Sequence, residues 1–305
     1  MTSFGHVTLI GIGLINGSLA KALRARGGVE TITACARRPE TRERALELGL
    51  CDFAVEDPAQ AVEGADIVVL GTPPLAMGAV AERMAPGLYP RTIITDVGSM
   101  KARIVADVAP HLPDPARFVP GHPVAGTEHS GPDAAFETLF VNRRCVLTPL
   151  ETADADAVET IRAMWEFTGS SVDLMTPEHH DKVLAITSHL PHLIAYTIVG
   201  TVDDLEEQAQ TEVFKYAAGG FTDFTRIAGS DPTMWRDVLL GNREAVLEML
   251  GRFSEDLAAL QRAIRWGEGD KLFDLFTRTR EIRRGVIAAG QSYIRQQDDP
   301  LADRP

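Results

Sequence analysis

The chain has 305 residues, a length that points to two domains. Hydrophobic residues make up 45% and charged residues 24%, the range of an ordinary globular protein and far from a disordered one. Asp plus Glu number 43 against 30 Lys plus Arg, and the resulting net charge of −13 speaks against binding duplex nucleic acid or anionic lipid.

No apolar run in the sequence approaches the ~20 residues that span a bilayer. The first fourteen or so residues lack the basic start of an export signal and run straight into a Gly-rich turn. Cys35, Cys51 and Cys145 form no C-x-x-C pair, so neither a disulfide frame nor a thiolate metal site is implied. The expectation is a cytoplasmic protein with neither nucleic acid nor membrane among its partners.

Along the first half, short β-branched runs alternate with helical stretches. Residues 7–10, 31–35, 67–70 and 92–95 predict buried strands of a parallel sheet, each apolar and bounded by Gly, Pro or Asp. Between them, 18–26, 40–48 and 75–84 carry apolar residues at helical spacing, and the alternation predicts a doubly wound α/β sheet. A looser Pro- and Gly-rich stretch covers 110–131. Two more strands, 144–147 and 171–174, flank a helix containing 157–167. The strand signal then ends. Thr176 as N-cap and Pro177 in the first turn open a long apolar segment through Val202. Further long helices are predicted over 239–264 and 270–294, and the tail 296–305 reads as disordered. The boundary is placed near residue 175, giving a dinucleotide-binding domain over 1–175 and a helical substrate and dimerisation domain over 176–305. Long helices with apolar stripes on a small second domain point to a homodimer.

The run Gly11-Ile12-Gly13-Leu14-Ile15-Asn16-Gly17-Ser18 follows the first strand and opens a helix. Gly11 permits the tight turn, and Gly13 lets backbone amides approach a pyrophosphate at the helix N-terminus. At the start of a βαβ pattern this favours dinucleotide binding over a plain turn, with Gly11, Gly13, Leu14 and Ile15 at the cofactor. Asn16 stands at the usual third-glycine position, a change expected to affect cofactor pose. The second strand ends in Ala36-Arg37-Arg38, where NAD-preferring folds carry an acid for the ribose hydroxyl. Two guanidiniums pair with a 2′-phosphate, so NADP is expected over NAD, the competing explanation being a solvated basic pair that opens a helix. Thr72, Pro73 and Asp96 follow or end the next strands, at the carboxyl edge where such sheets bind ligands.

Three groups suit hydride-transfer chemistry on a small carboxylate substrate. His122, in a loop with a proline behind it, suits the removal of a hydroxyl proton; Ser99 is placed to orient that hydroxyl or the histidine; Arg226 offers a planar donor for a carboxylate. His189 and His192 are three apart without H-E-x-x-H or a carboxylate cluster, so no metal site is expected. Ser188 and His192 share a helix face if helical geometry persists past Pro191. No G-x-S-x-G elbow supports a hydrolase.

Four motifs occur in order: D-V-G-S-M-K from Asp96, G-H-P-V-A-G-T-E from Gly121, H-H-D-K-V-L-A-I-T-S-H-L-P-H from His179, and G-G-F-T-D-F-T-R-I-A-G-S-D-P-T-M-W-R-D from Gly219. Together they resemble the prephenate/arogenate (cyclohexadienyl) dehydrogenase family, from about Val7 to the last long helix. The resemblance implies a Rossmann-like sheet followed by an all-helical, interlocked dimerisation domain. It implies oxidation of a cyclohexadienol to a phenol, with hydride passing to a nicotinamide and carbon dioxide leaving from the opposite ring position. The products would be tyrosine from L-arogenate or 4-hydroxyphenylpyruvate from prephenate. By motif, His122 matches the catalytic histidine, Ser99 its helper near the nicotinamide, Arg226 the holder of the ring carboxylate, and His192 a group near the substrate side chain. His180 and Ser188 match further substrate-pocket positions, while Thr127, Glu128 and Asp223 match polar residues that line or gate the pocket. NADP is the preferred cofactor on this basis, NAD the alternative. Other readings are a dehydrogenase of 4-amino-4-deoxyprephenate in a specialised pathway and a non-decarboxylating β-hydroxyacid dehydrogenase. Neither a chorismate mutase segment before Val7 nor an ACT-type domain after Ile294 is expected.

Overall fold

A computed structural model describes residues 3–205 and 215–288. The chain divides into two compact units, Met1–Val246 and Leu247–Pro305. Residue 175 lies in the first, at the turn where strands give way to helices.

The first unit opens with six parallel strands: β1 (His6–Ile10), β2 (Thr31–Cys35), β3 (Phe53–Val55), β4 (Ile67–Leu70), β5 (Ile93–Asp96) and β6 (Phe118–Val119), in the order β3-β2-β1-β4-β5-β6. Helices cover both faces, which is why β4 reads as the uninterrupted apolar run Ile-Val-Val-Leu. Leu9, Ile32 and Val69 pack on one side; Ile10, Val68, Leu70 and Ile94 pack on the other. Strand order reverses at β1, which pairs with β2 through Ile10 and Cys35 and with β4 through Ile10 and Leu70. The loops after β1 and β4 diverge there and open the crevice in which such sheets bind ligands.

A second sheet holds β7 (Gly121–Pro123), β8 (Arg144–Leu147) and β9 (Ser171–Leu174). β7 runs antiparallel to β8, and β8 and β9 are parallel, joined by the helix Ala155–Phe167. His122 lies opposite Val146 in this sheet. The 110–131 stretch, expected to be loose, thus contains β6 and β7. Strands of two and three residues are too short to show a period, and pairing with β5 and β8 creates them. The short helices Pro58–Val62 and Ala102–Val108 and the edge strand β3 escape sequence patterning for the same reason.

Thr176 caps the next helix by accepting from the His179 amide, with Pro177 in the first turn. The helix Pro177–Leu184 passes through a π-helical turn, Ala185–His189, into Leu190–Asp203. Pro191 lacks the N–H a continuous α-helix needs, and the widened turn just before it absorbs the defect. The fused run, Pro177–Asp203, spans 27 residues with a mean hydropathy of 1.4 over its most apolar window, long and apolar enough by composition to cross a membrane. The sequence expectation missed this because the first turns are charged. His180, Asp181 and His189 are buried along this same run.

The helix expected over 239–264 breaks into Pro232–Gly241 and Arg243–Trp266 at Asn242, whose side chain is committed to a tertiary hydrogen bond. In the second unit, Arg243–Trp266 continues to its end, Gly267 turns the chain with φ +66°, and Gly269–Ala288 follows. The end of the predicted 270–294 helix and the 296–305 tail lie outside the described residues.

Candidate active site

The nucleotide edge is built on missing side chains. Gly11 sits at φ +86°, and a Cβ there would stand 2.8 Å from the Gly71 carbonyl oxygen. Gly13 caps the helix Leu14–Ala25 with no side-chain hydrogen bond, no acid lies in the first turn, and no atom lies within 4 Å of where its Cβ would be. The helix N-terminus therefore presents free amides and a positive dipole end to open space, which fits a pyrophosphate. Thr72 adds a buried hydroxyl without a partner. Leu14 is buried and Ile15 half-buried beside this cradle, and Pro73 is exposed.

Asn16 turns inward: Nδ2 donates to the Gly11 carbonyl at 2.7 Å and to the Val69 carbonyl at 3.3 Å. It braces the Gly11 turn from inside the protein, so its influence on cofactor pose would pass through that loop. Gly17 takes over close packing, since a Cβ there would stand 2.8 Å from the Ala135 Cβ. Arg37 and Arg38 are exposed at the tip of β2, and Arg42 donates to the carbonyls of Ala36 and Arg37 to hold that turn. Asp96, expected at the cofactor, is also turned inward. Its carboxylate is fully buried, bonded to the Lys101 ammonium and to the amides of Gly98 and Gly121. Lys101 in turn donates to the Gly121 carbonyl at 2.5 Å. The pair fastens the end of β5 to the residue before His122.

Three side chains then form a row. His122 Nδ1 lies 2.8 Å from His180 Nε2, and His180 Nδ1 lies 2.8 Å from Asp181 Oδ1. Asp181 also accepts from the amides of Lys101 and Ala102, at 2.7 and 3.0 Å. Burial alone would raise the Asp181 pKa, but the His180 bond and the two amides outweigh it and keep the carboxyl ionised. A carboxylate only accepts, so His180 carries its proton on Nδ1 and its Nε2 is an acceptor. His122 must then donate from Nδ1. Its own Nε2 is left without a proton, as a base. Burial, with the neighbouring His180 and Lys101, lowers the His122 pKa well below the usual imidazole range and holds the ring neutral. His180 is fully buried between His122 and Asp181, which keep 7% and 5% of their surface exposed, and the ring nitrogen left unpaired in the row is His122 Nε2.

The other predicted residues divide. Ser99 is half-buried on the turn between Asp96 and Lys101; among the described residues it makes no side-chain hydrogen bond to His122. Arg226 Nη1 donates to Glu128 Oε2 at 2.7 Å, bringing the second and fourth motifs together at a partly exposed rim. His192 Nδ1 donates to the Ser188 carbonyl at 2.9 Å, so helical spacing does persist past Pro191. The His192 ring stacks on Trp235 with centroids 3.5 Å apart at 20°. Burial lowers the His192 pKa, and the field of Arg226 adds to it. Thr127 accepts from the His129 amide in a local turn, and Asp223 is exposed on the helix Gly219–Thr225, joined to none of these groups.

Sequence patterning missed Asp181, Lys101, Asn242 and Trp235. Asp181 stood inside the quoted motif next to His180, and Lys101 ended another. A carboxylate beside a motif histidine was the available signal. Trp235 likewise stood inside the fourth motif, whereas Asn242 lay outside all four.

Comparison with known proteins places this geometry in context. Residues 19–174 match the family model described as the prephenate dehydrogenase nucleotide-binding domain, and residues 176–278 match its dimerization domain. A cyclohexadienyl dehydrogenase from Zymomonas mobilis is 42% identical over 93% of this chain and 96% of its own length. A prephenate dehydrogenase from Bacillus subtilis is 34% identical over 98% of this chain and 81% of its own. The Aquifex aeolicus prephenate dehydrogenase, solved with hydroxyphenyl propionate and NAD+, superposes with a TM-score of 0.86 at 33% identity, covering 93% and 99% of the two chains. A Synechocystis arogenate dehydrogenase gives 0.76 at 31% identity, covering 92% and 99%.

Proposed function

Because the chain belongs to the prephenate dehydrogenase family, we propose that it carries out the oxidative decarboxylation of L-arogenate, prephenate or both, with NADP as the preferred hydride acceptor. The single observation that carries this is the unprotonated Nε2 of His122 at the open end of a row whose other positions are filled. When bound, the nicotinamide supplies the hydride-accepting carbon.

The residues of this chain do the rest. The amides that open the helix Leu14–Ala25, beside Gly11 and Gly13, hold the pyrophosphate, and Thr72 and Pro73 line the same edge. Arg37 and Arg38 face the 2′-phosphate. His122 Nε2 accepts the hydroxyl proton of the ring carbon that is oxidised, and Ser99 orients that hydroxyl. Arg226 holds the ring carboxylate by charge-assisted hydrogen bonds once Glu128 releases it. His192, fixed by Trp235 and the Ser188 carbonyl, borders the substrate side chain. His180, assigned from the motif to the pocket, acts here from behind His122. Thr127, Glu128 and Asp223 form the polar rim.

We assign the cofactor to residues 1–175 and dimer formation to 176–305. The second unit leaves Ile264, Trp266, Phe273 and Phe276 exposed, an apolar surface suited to a second copy of the chain. Steady-state formation of reduced nicotinamide, measured with each cofactor against arogenate and prephenate, tests the reading. Turnover with at least one substrate, higher with NADP, is expected. Absence of turnover on both substrates overturns the activity, and a clear NAD preference overturns the cofactor assignment.

A further inference from the structure

Asp181 has no task in the reaction as described, yet its surroundings are unusually complete. Both carboxylate oxygens accept from backbone amides at the start of the helix Ala102–Val108, across 79 and 80 residues of sequence. Lys101, at the N-cap position of that helix, offers no side-chain cap of its own, so Asp181 supplies one from a distant element. Asn242 Nδ2 donates to the Asp181 main-chain carbonyl at 2.8 Å and reaches His189 Nδ1 at 3.1 Å, holding the segment from the other side. A carboxylate with this many restraints cannot follow a moving partner. It dictates where the His180 ring sits.

The charges around the row are unequal. Its charged and titratable neighbours are Lys101, Asp96, His189 and, from β8, the Cys145 thiol, which burial pushes up and keeps neutral. Asp96 has its own buried cation in Lys101. Asp181 is hydrogen-bonded to the His180 ring, which is neutral in the resting state, and feels the Lys101 ammonium only through space, since that cation is bonded to Asp96. A buried carboxylate without a matching cation is costly, and a positive charge arriving on the row relieves that cost.

We propose that Asp181 is a positioning residue for proton transfer: through His180 it holds His122 in the Nδ1–H tautomer and balances the charge His122 acquires. This rests on the oxidative decarboxylation proposed above. In that step the substrate O–H bond breaks and its proton bonds to His122 Nε2, while the hydride of the same carbon passes to the nicotinamide. The resulting imidazolium keeps its Nδ1–H directed at His180 Nε2. Asp181 stays ionised throughout; the bond from the ring to its carboxylate then breaks, carbon dioxide leaves, the released electron pair aromatises the ring toward the oxygen, and the proton on His122 Nε2 returns to that oxygen as the phenol O–H forms.

Asp181→Asn is the informative variant, because the amide oxygen still accepts from the Lys101 amide and from His180 Nδ1, so the negative charge is removed while only the Ala102 amide loses its acceptor. We expect kcat to fall about 10²-fold while both KM values stay within about threefold. The acid limb of the kcat profile should move to lower pH, because removing the negative charge makes His122 a weaker base. A purely structural cap predicts a lower Tm with an unchanged profile, and that result overturns the proposal. Nitrogen-15 NMR of the histidine rings in the unmodified protein gives an answer even if the variant fails to fold. Both His122 and His180 should carry the proton on Nδ1 at neutral pH; an Nε2–H tautomer at His122 overturns the proposal. His122→Asn separates the two levels of inference. Wild-type turnover in His122→Asn removes the assigned base and the function built on it. An inactive His122→Asn beside a fully active Asp181→Asn removes Asp181 alone.

Discussion

The His122–His180–Asp181 row and the Arg226–Glu128 pair are built to opposite specifications. In the row, His180 is 0% exposed and both of its ring nitrogens have partners. At the rim, the Arg226 and Glu128 side chains are 40% and 29% exposed and joined by a single ion pair. Exposed pairs of this kind contribute ~0–1 kcal/mol and exchange partners readily, whereas a desolvated hydrogen-bonded row is rigid and its proton positions are fixed. Under the proposed function the contrast separates two tasks. Proton acceptance needs one tautomer held before substrate arrives, and carboxylate capture needs a cation that can let go of its resting partner.

Breaking the interior should therefore cost the most. His122→Asn should lower kcat by ~10²-fold or more with cofactor affinity unchanged, as single-turnover and cofactor-titration measurements would show. Arg226→Ala should act on the other side of the comparison: KM for the substrate rises about tenfold or more, the worth of a charge-assisted carboxylate contact, with a smaller effect on kcat. An equal loss in both constants would mean that the arginine also belongs to the rigid interior. Replacing Arg37 and Arg38 together by serine should lower kcat/KM for NADP about tenfold and leave NAD nearly unchanged, because only the 2′-phosphate distinguishes them.

Two pH measurements sharpen the contrast further, with smaller effects. Since burial lowers the His122 pKa, the acid limb of kcat/KM should lie below the ordinary imidazole value of ~6.5. A limb at 6.5 would mean that the row is wet. The neighbouring His189, buried and lowered to about 4, binds a proton more weakly folded than unfolded. Its contribution to stability is thus complete above ~6.5 and lost as pH falls from there toward 4, which a Tm series over that window would record as a decline. His189→Gln should make the decline shallower, the remainder coming from His122, His180 and His192, whose pKa values burial also lowers.

How much of this was legible in advance depended on range. The strands Thr31–Cys35, Ile67–Leu70, Arg144–Leu147 and Ser171–Leu174 have the predicted bounds; in the first three, burial on both faces writes itself into consecutive residues, while the last has no fully buried residue. The Thr176 cap, the glycine loop and the cyclohexadienyl dehydrogenase motifs were equally readable, being contiguous. Asp96 shows where contiguity misleads. Its place at a strand tip pointed to the cofactor, yet Lys101, five residues on, turns back and draws it inside. His180 is a second case: its motif neighbourhood pointed to the substrate pocket, but its ring fills the space behind His122, 58 residues away.

The amino-acid order by itself determined the alternation of strands and helices, the glycine cradle after β1, and which side chains are candidates for the chemistry. Each of those depends on neighbours a few positions apart, where chain geometry allows few outcomes. Tertiary structure alone decided that Asn16 and Asp96 face inward, that Asn242 breaks a helix, and that Asp181 stands at the end of the row. Those are choices of hydrogen-bond partner across dozens of residues. A buried polar group takes whichever partner packing brings within ~3 Å, and no local pattern encodes that distance.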